Sequence, residues 1–193
     1  MQDLFAKICK RHNYESFDTP GGETGTATFS AEGIRELRIE RDRLSIEEDV
    51  TVAFDLLKRN FTDQVKVVQE ELKIPGFFEP RIKLRALWPL PEGGSALEAL
   101  RDRALKLNPD HYSLLGAVSV ESVGIVIQAD LEELSHMYFE FSPYVRDPSQ
   151  LHMDVESYRH QTLETPEVIE ALMQEVYDYF NSKVVAFVQT FMP

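Results

Sequence analysis

The sequence predicts an α+β protein in which an antiparallel sheet of about six or seven strands, a hairpin plus a meander, is packed by long helices. Three observations carry that prediction. Strand-like runs with period-2 alternation come in groups rather than singly between helices, which argues against parallel βαβ units. Apolar residues spaced by three and four mark two long amphipathic helices, one mid-chain and one C-terminal. No repeat and no linker separates two cores, so residues 1–193 are expected to form one domain.

Each element follows from local chemistry. "QDLFAKICKRH" (2–12) places Leu4, Phe5 and Ile8 on one side of a short helix. Residues 13–30 then include "DTPGGETGTA", a Gly/Thr-rich turn region expected to be mobile. Gly21, Gly22 and Gly25 do not make a phosphate loop, which needs Gly-Lys-Ser/Thr opening a helix. "IRELRIERDRLSIEED" alternates Leu37, Ile39, Leu44 and Ile46 with charges and reads as a hairpin turning near Arg41-Asp42. From Asp49 to Lys73 the spacing Phe54, Leu57, Phe61, Val65, Val68, Leu72 predicts a helix, ended by Ile74-Pro75-Gly76. "RIKLRALW" (81–88) reads as a strand with Ile82, Leu84, Ala86 and Trp88 facing inward, and "PLPEGG" as a loop. Ser95 with Glu98 forms a capping box before a helix at 96–107. Two Val/Ile/Leu-rich runs, Tyr112 to Glu121 and Val123 to Asp130, join two later strands in a four-strand meander. Thr165 as N-cap and Pro166 at the first helical position open the terminal helix.

On that helix Val168, Leu172, Val176, Phe180, Val184, Phe187 and Phe191 make one apolar stripe. Val185, Val188 and Met192 make a second strip on or beside the polar arc. Either the helix end passes under another element of its own domain, or the strip is an interface. The simplest interface is a homodimer about a two-fold axis, and that is the expectation.

Composition narrows the function classes. The formal charge is −13, from 33 acidic against 20 basic residues, which opposes phosphate backbones and anionic membranes. Arg35, Arg38, Arg41 and Arg43 are interleaved with Glu36, Glu40 and Asp42, and Lys7, Lys10 and Arg11 form only a short group, so duplex nucleic acid is not an expected partner. The single cysteine, Cys9, excludes an internal disulfide and a Cys-based zinc cluster. With no apolar leader after Met1 and no bilayer-length apolar run, a cytoplasmic protein away from membranes is expected. No cofactor is implied. No Gly-x-Ser-x-Gly elbow is present, and Cys9 lacks a recognisable His/Asn partner set.

The stretch "HMYFEFSPYVRDPSQLHMDVESYRH" (136–160) carries the candidate chemistry. On paired strands His136, Tyr138 and Glu140 share a face, as do His152, Asp154 and Glu156. His136, Glu140, His152, Asp154 and Glu156 are therefore the candidate metal ligands. A register of Phe139 with Met153, Met137 with Val155 and Phe141 with Leu151 gathers the apolar side chains on one face. It sets Glu140 opposite His152, His136 opposite Glu156 and Tyr138 opposite Asp154. Such cross-strand pairs stabilise by roughly 0.2–1 kcal/mol each without a metal. Two histidines also fall short of the three protein ligands of a catalytic zinc, and nothing places His111 or His160 with them. A solvated sheet face is the favoured reading. His152→Ala and Asp154→Ala are then each expected to cost under about 2 kcal/mol.

"PRIKLRALWPLP" after a long helix, and "LHMDVESYRH" before a terminal one, resemble a sporadically distributed family of uncharacterised bacterial proteins. In that family a strand of the type R-x-G-L-R-Y-x-N precedes a Pro-containing loop, and a late strand carries D-x-D-x-Y. Arg81, Leu84 and Arg85 match the first motif, whereas Lys83, Ala86 and Trp88 replace its Gly, Tyr and Asn. Asp154 and Tyr158 match the second with a shifted spacing. The resemblance spans roughly residues 34 to 193 by element order; it implies a bacterial α+β protein and no established activity.

The function expected from these features is non-enzymatic: a protein-interaction surface serving an accessory, immunity or chaperone-like component, its partner another protein or itself. The alternative is a metal-dependent enzyme or small-ligand binder using the polar face around His136, Glu140, His152, Asp154 and Glu156.

Overall fold

A computed structural model describes residues 2–18, 27–31, 35–40, 43–48, 53–107, 110–111, 114, 121–131 and 136–192. The centre of the Gly/Thr-rich stretch, the Arg41-Asp42 turn and most of the run Tyr112 to Glu121 lie outside those residues. The described chain is α+β and its strand ladders are antiparallel wherever their register is defined. The strands form three separate sheets, of four, two and four strands among the described residues, where the sequence reading expects one.

The residues divide into two compact units, the first being Met1–Phe77 with Thr162–Leu172 and the second Phe78–Gln161 with Met173–Pro193. In the first, α1 (Gln2–His12) lies against α2 (Phe54–Leu72), and β1 (Ser16–Asp18), β2 (Ala27–Ala31), β3 (Arg35–Ile39) and β4 (Leu44–Glu48) form an antiparallel sheet in sequence order. Two of those strands flank the Gly/Thr-rich centre. Leu37 pairs with Ile46 and Ile39 with Leu44, as the alternation predicts. Leu4, Ile8, Tyr14, Leu37, Ile39, Val67 and Val68 make the core. Inside it the Tyr14 hydroxyl donates to Gln64 Oε1 at 2.7 Å, which satisfies one end of a fully buried amide. Lys73 closes α2 in the left-handed region (φ 53°). Gly76 is required just beyond, since a Cβ there would stand 2.9 Å from the Leu163 carbonyl oxygen. The two-stranded sheet pairs β5 (Phe77–Phe78) with β10 (Thr162–Leu163).

The second unit holds β6 (Arg81–Pro89), β7 (Ile125–Asp130), β8 (His136–Tyr144) and β9 (Asp147–Tyr158) in the order β6-β9-β8-β7. The fourth strand of this sheet is thus β6. Ile82, Leu84, Ala86 and Trp88 are half-buried on one face of it while Arg81, Lys83 and Arg85 are exposed on the other, as predicted. Ser95 caps α3 (Ala96–Glu98), which packs against β8 and β9 and runs on as a π-helical turn, Ala99–Ala104.

The β8–β9 register corrects the expected one by two residues. Phe139 pairs with Val155, Phe141 with Met153 and Met137 with Ser157, so His136 faces Tyr158, Tyr138 faces Glu156 and Glu140 faces Asp154. The cause lies at the turn. Tyr144 pairs with Asp147, but the next pair is Pro143 with Leu151, so Pro148, Ser149 and Gln150 are extra on β9. Asp147 holds them, accepting from the Ser149 N–H (3.0 Å), the Ser149 hydroxyl (2.6 Å) and the Gln150 amide (2.8 Å). The extra residues are occupied by β6 instead: Gln150 pairs with Pro89, and the Leu90 N–H donates to the Ser149 carbonyl at 2.9 Å.

The C-terminal helix also departs from its projection. α4 (Pro166–Tyr179) passes through a π-helical turn, Phe180–Val184, into α5 (Val185–Gln189). In a continuous α-helix four-residue steps drift by about 40°, so Val176, Phe180, Val184, Val188 and Met192 would spread over about 160°. A π turn takes up one extra residue and removes about 100° of that drift. All five are consequently buried. Val188 and Met192, expected at an interface, are core residues of the chain itself, and Val185 is half-buried. Phe187, expected on the inner stripe, is 37% exposed although its ring stays 5.3 Å from that of Phe141, and Val168 is exposed as well. Val188→Ala is expected to cost about 2–3 kcal/mol in chemical denaturation and Val185→Ala under about 1 kcal/mol; equal costs would contradict the re-phased helix.

Candidate functional site

Because Met137, Phe139, Phe141, Leu151, Met153 and Val155 turn to the buried face of the sheet, their neighbours in sequence turn to the other. That second face carries Val126, Gln128 and Asp130 from β7, and His136, Tyr138 and Glu140 from β8. β9 adds His152, Asp154, Glu156 and Tyr158, and β6 adds Arg81, Lys83, Arg85 and Leu87. The five candidate ligands share the face, but of them only Glu140 and Asp154 stand directly opposite each other. His152 stands opposite Ser142 with its ring 6.4 Å from that of Tyr144, while His136 stands opposite Tyr158. Among the described residues no group of three or more His, Cys, Asp or Glu is placed to hold a metal ion.

Asp154 is buried, 6% exposed, where an exposed pair was expected. Its Oδ2 meets Lys83 Nζ at 2.8 Å and Arg85 Nε at 3.6 Å, both from β6, which offsets the like charge of Glu140 directly opposite. Its Oδ1 is buried without a hydrogen-bond partner. Tyr138 donates its hydroxyl to Glu140 at 3.0 Å. That bond, with desolvation and the charges of Glu140, Asp154 and Glu156, raises the phenol above its ordinary range.

The chemistry concentrates instead where β6 begins and β9 ends. An open groove of about 420 Å³ is lined there by Arg81, Gln128, Asp130, His136, Tyr138, Glu156 and Tyr158 among others. The His136 and Tyr158 rings stack at 5.4 Å, and the Arg81 guanidinium lies 5.4 Å from the Tyr158 centroid with Nη1 3.4 Å from Glu156. Asp130 pairs with His136 Nδ1. On the Tyr158 hydroxyl side Glu79 accepts from His160 Nδ1 at 3.0 Å, which leaves Nε2 to accept the Tyr158 hydroxyl at 2.7 Å. Two carboxylate-oriented imidazoles therefore flank one tyrosine. The sequence reading did not place Glu79, Arg81, Gln128, Asp130, Tyr158 and His160 in a site. The Arg81-x-Lys83-x-Arg85 alternation and Tyr158-x-His160 spacing were the only signals, and both depended on the register.

No family model matches this chain, and no curated protein or solved structure matches it either. Among the described residues no helix is long and apolar enough to cross a membrane.

Two outcomes follow. Asp154→Ala is expected to cost about 1–2 kcal/mol because it removes the buried carboxylate that Lys83 and Arg85 share, whereas His152→Ala costs under about 1 kcal/mol; denaturation of both variants checks this. The raised Tyr138 phenol stabilises the fold below the ordinary tyrosine pKa of about 10, a contribution lost as pH climbs through its higher folded value. Glu140→Gln should bring the Tyr138 titration down toward the ordinary range, read as the phenolate absorbance that Tyr138→Phe removes.

Proposed function

We propose that the protein is a non-enzymatic cytoplasmic binding protein acting through a protein-interaction surface, and that this surface is the polar face of the β6-β9-β8-β7 sheet. The observation that carries this reading is the residue set on that face. Tyr138, Tyr158, Arg81 and Arg85 are of the types that dominate interface energetics, and exposed Leu87 and Val126 flank them. The apolar face of the same sheet is already filled from within the chain.

One observation favours a second reading. Glu79, His160 and the Tyr158 hydroxyl line up as orienting carboxylate, base and proton donor, an arrangement suited to acid–base chemistry on a small ligand. The two readings use different atoms of Tyr158.

A photo-crosslinking residue replacing Leu87 in cells is expected to capture a discrete polypeptide, and one replacing exposed Arg103 on the π turn after α3 is not. Tyr158→Phe should leave that capture unchanged. Equal capture from both positions would overturn the assignment to this face, and capture abolished by Tyr158→Phe would move the function to the hydroxyl.

A further inference from the structure

We propose that the groove beside Tyr158 takes the guanidinium or ammonium group of a basic polypeptide segment. This inference rests on the interaction reading and names the chemistry of the partner.

The groove already shows what it holds. The Arg81 guanidinium lies over the Tyr158 ring and beside the Glu156 carboxylate, the two groups that hold a planar cation by its face and its edge. Tyr138 and His136 add further aromatic wall, and Asp130 stands at the side with one oxygen on His136. Carboxylates outnumber cations on this face: Asp130, Glu140, Asp154 and Glu156 stand against Arg81, Lys83 and Arg85. Asp154 is more than nine-tenths buried, with Oδ2 on Lys83 and Arg85 and Oδ1 without a hydrogen-bond partner. The hydrogen bond to Glu140 foremost, then desolvation and the charges of Glu140, Asp154 and Glu156, keep the Tyr138 phenol in the groove wall neutral. The carboxylates Asp130 and Glu156 in the groove lining favour an incoming positive charge. At longer range the formal charge of −13 attracts basic chains and repels acidic ones.

Arg81 has a specific place in this scheme. It is 65% exposed, and it occupies the ring and the carboxylate as a cation supplied in cis. An incoming arginine competes with it. Removing Arg81 should therefore strengthen binding, the reverse of what a site for an anion would show.

The test uses the full chain and a fluorescein-labelled peptide of alternating arginine and glycine, with a citrulline–glycine peptide of the same shape and no charge as its control. Fluorescence anisotropy at low and high salt gives the affinities. The arginine peptide should bind at least tenfold more tightly than the citrulline peptide. Arg81→Ala should tighten binding several-fold. Asp130→Asn with Glu156→Gln should weaken it about tenfold, equivalent to about 1.4 kcal/mol. Tyr158→Ala should weaken it while Tyr158→Phe, which keeps the ring, does not. Binding that falls in Arg81→Ala, that ignores the double substitution, or that prefers a glutamate–glycine peptide would overturn the proposal. If the Leu87 crosslink persists in that event, only the ligand chemistry is overturned; if the crosslink is absent too, the face itself is.

Discussion

The arrangement of the second unit depends on how β9 takes up three residues after its turn with β8. A two-residue turn continued without interruption from Tyr144–Asp147 would set Phe141 opposite Gln150 and put apolar against polar side chains along the ladder. Insertion of Pro148, Ser149 and Gln150, an odd number, restores parity and closes Phe141 on Met153 and Phe139 on Val155. Asp147 makes the insertion stable by binding the backbone and side chain of Ser149 and the amide of Gln150, and Ser149 foremost holds its carboxyl below the usual carboxylate range. The polar face is a consequence. Once β9 is fixed, Tyr158 lies between His136 on one side and Arg81 on the other, and Asp154 lies between Glu140 and Arg85. The like-charge pair Glu140–Asp154 is tolerated because β6 brings Lys83 and Arg85 to it.

A comparable device sets the helix that closes the buried face. The C-terminal chain carries apolar residues every four positions from Val176 to Met192, a spacing that straight α-geometry cannot keep on one side. The π turn at Phe180–Val184 absorbs the mismatch, so one stripe covers the sheet instead of two strips on different sides. In both elements extra residues in the backbone, three on β9 and one in the helix, decide which side chains meet, and composition is unaffected.

That is also why parts of the structure were legible in the sequence and others were not. Local chemistry was readable wherever it is local: the Ser95–Glu98 cap, the start of the terminal helix at Pro166, the Leu37/Ile39–Leu44/Ile46 hairpin and the inward set ending in Trp88 all stand as read. The β8–β9 face was readable too, because the side-chain period is two. The register was not, since a shift of two residues keeps every apolar side chain on the same face and the pattern cannot tell the alternatives apart. The site suffered most. Pairing His136 with Glu156 rather than Tyr158 hid the ring stack, and His160, just past the end of β9, had no register at all. On the helix, projection at a fixed period assigned Val188 and Met192 to an interface because it spread the four-residue spacing around the axis, where the π turn gathers it on one side.

The remaining question is which part of Tyr158 the site presents. Its hydroxyl is engaged, held by an imidazole whose other nitrogen is fixed by Glu79. Its ring is stacked against His136, which Asp130 orients in turn. Both contacts immobilise the phenol, and an aromatic side chain already ordered in the free protein loses little entropy when a ligand arrives. The exchangeable contact is with Arg81, a long, largely exposed side chain whose ion pair with Glu156, at 3.4 Å and near the surface, is worth little individually. A ligand can displace that guanidinium far more cheaply than it can break the Glu79–His160–Tyr158 chain. The surface the groove offers is therefore the ring and the Glu156 carboxylate, and what fits both at once is another cation.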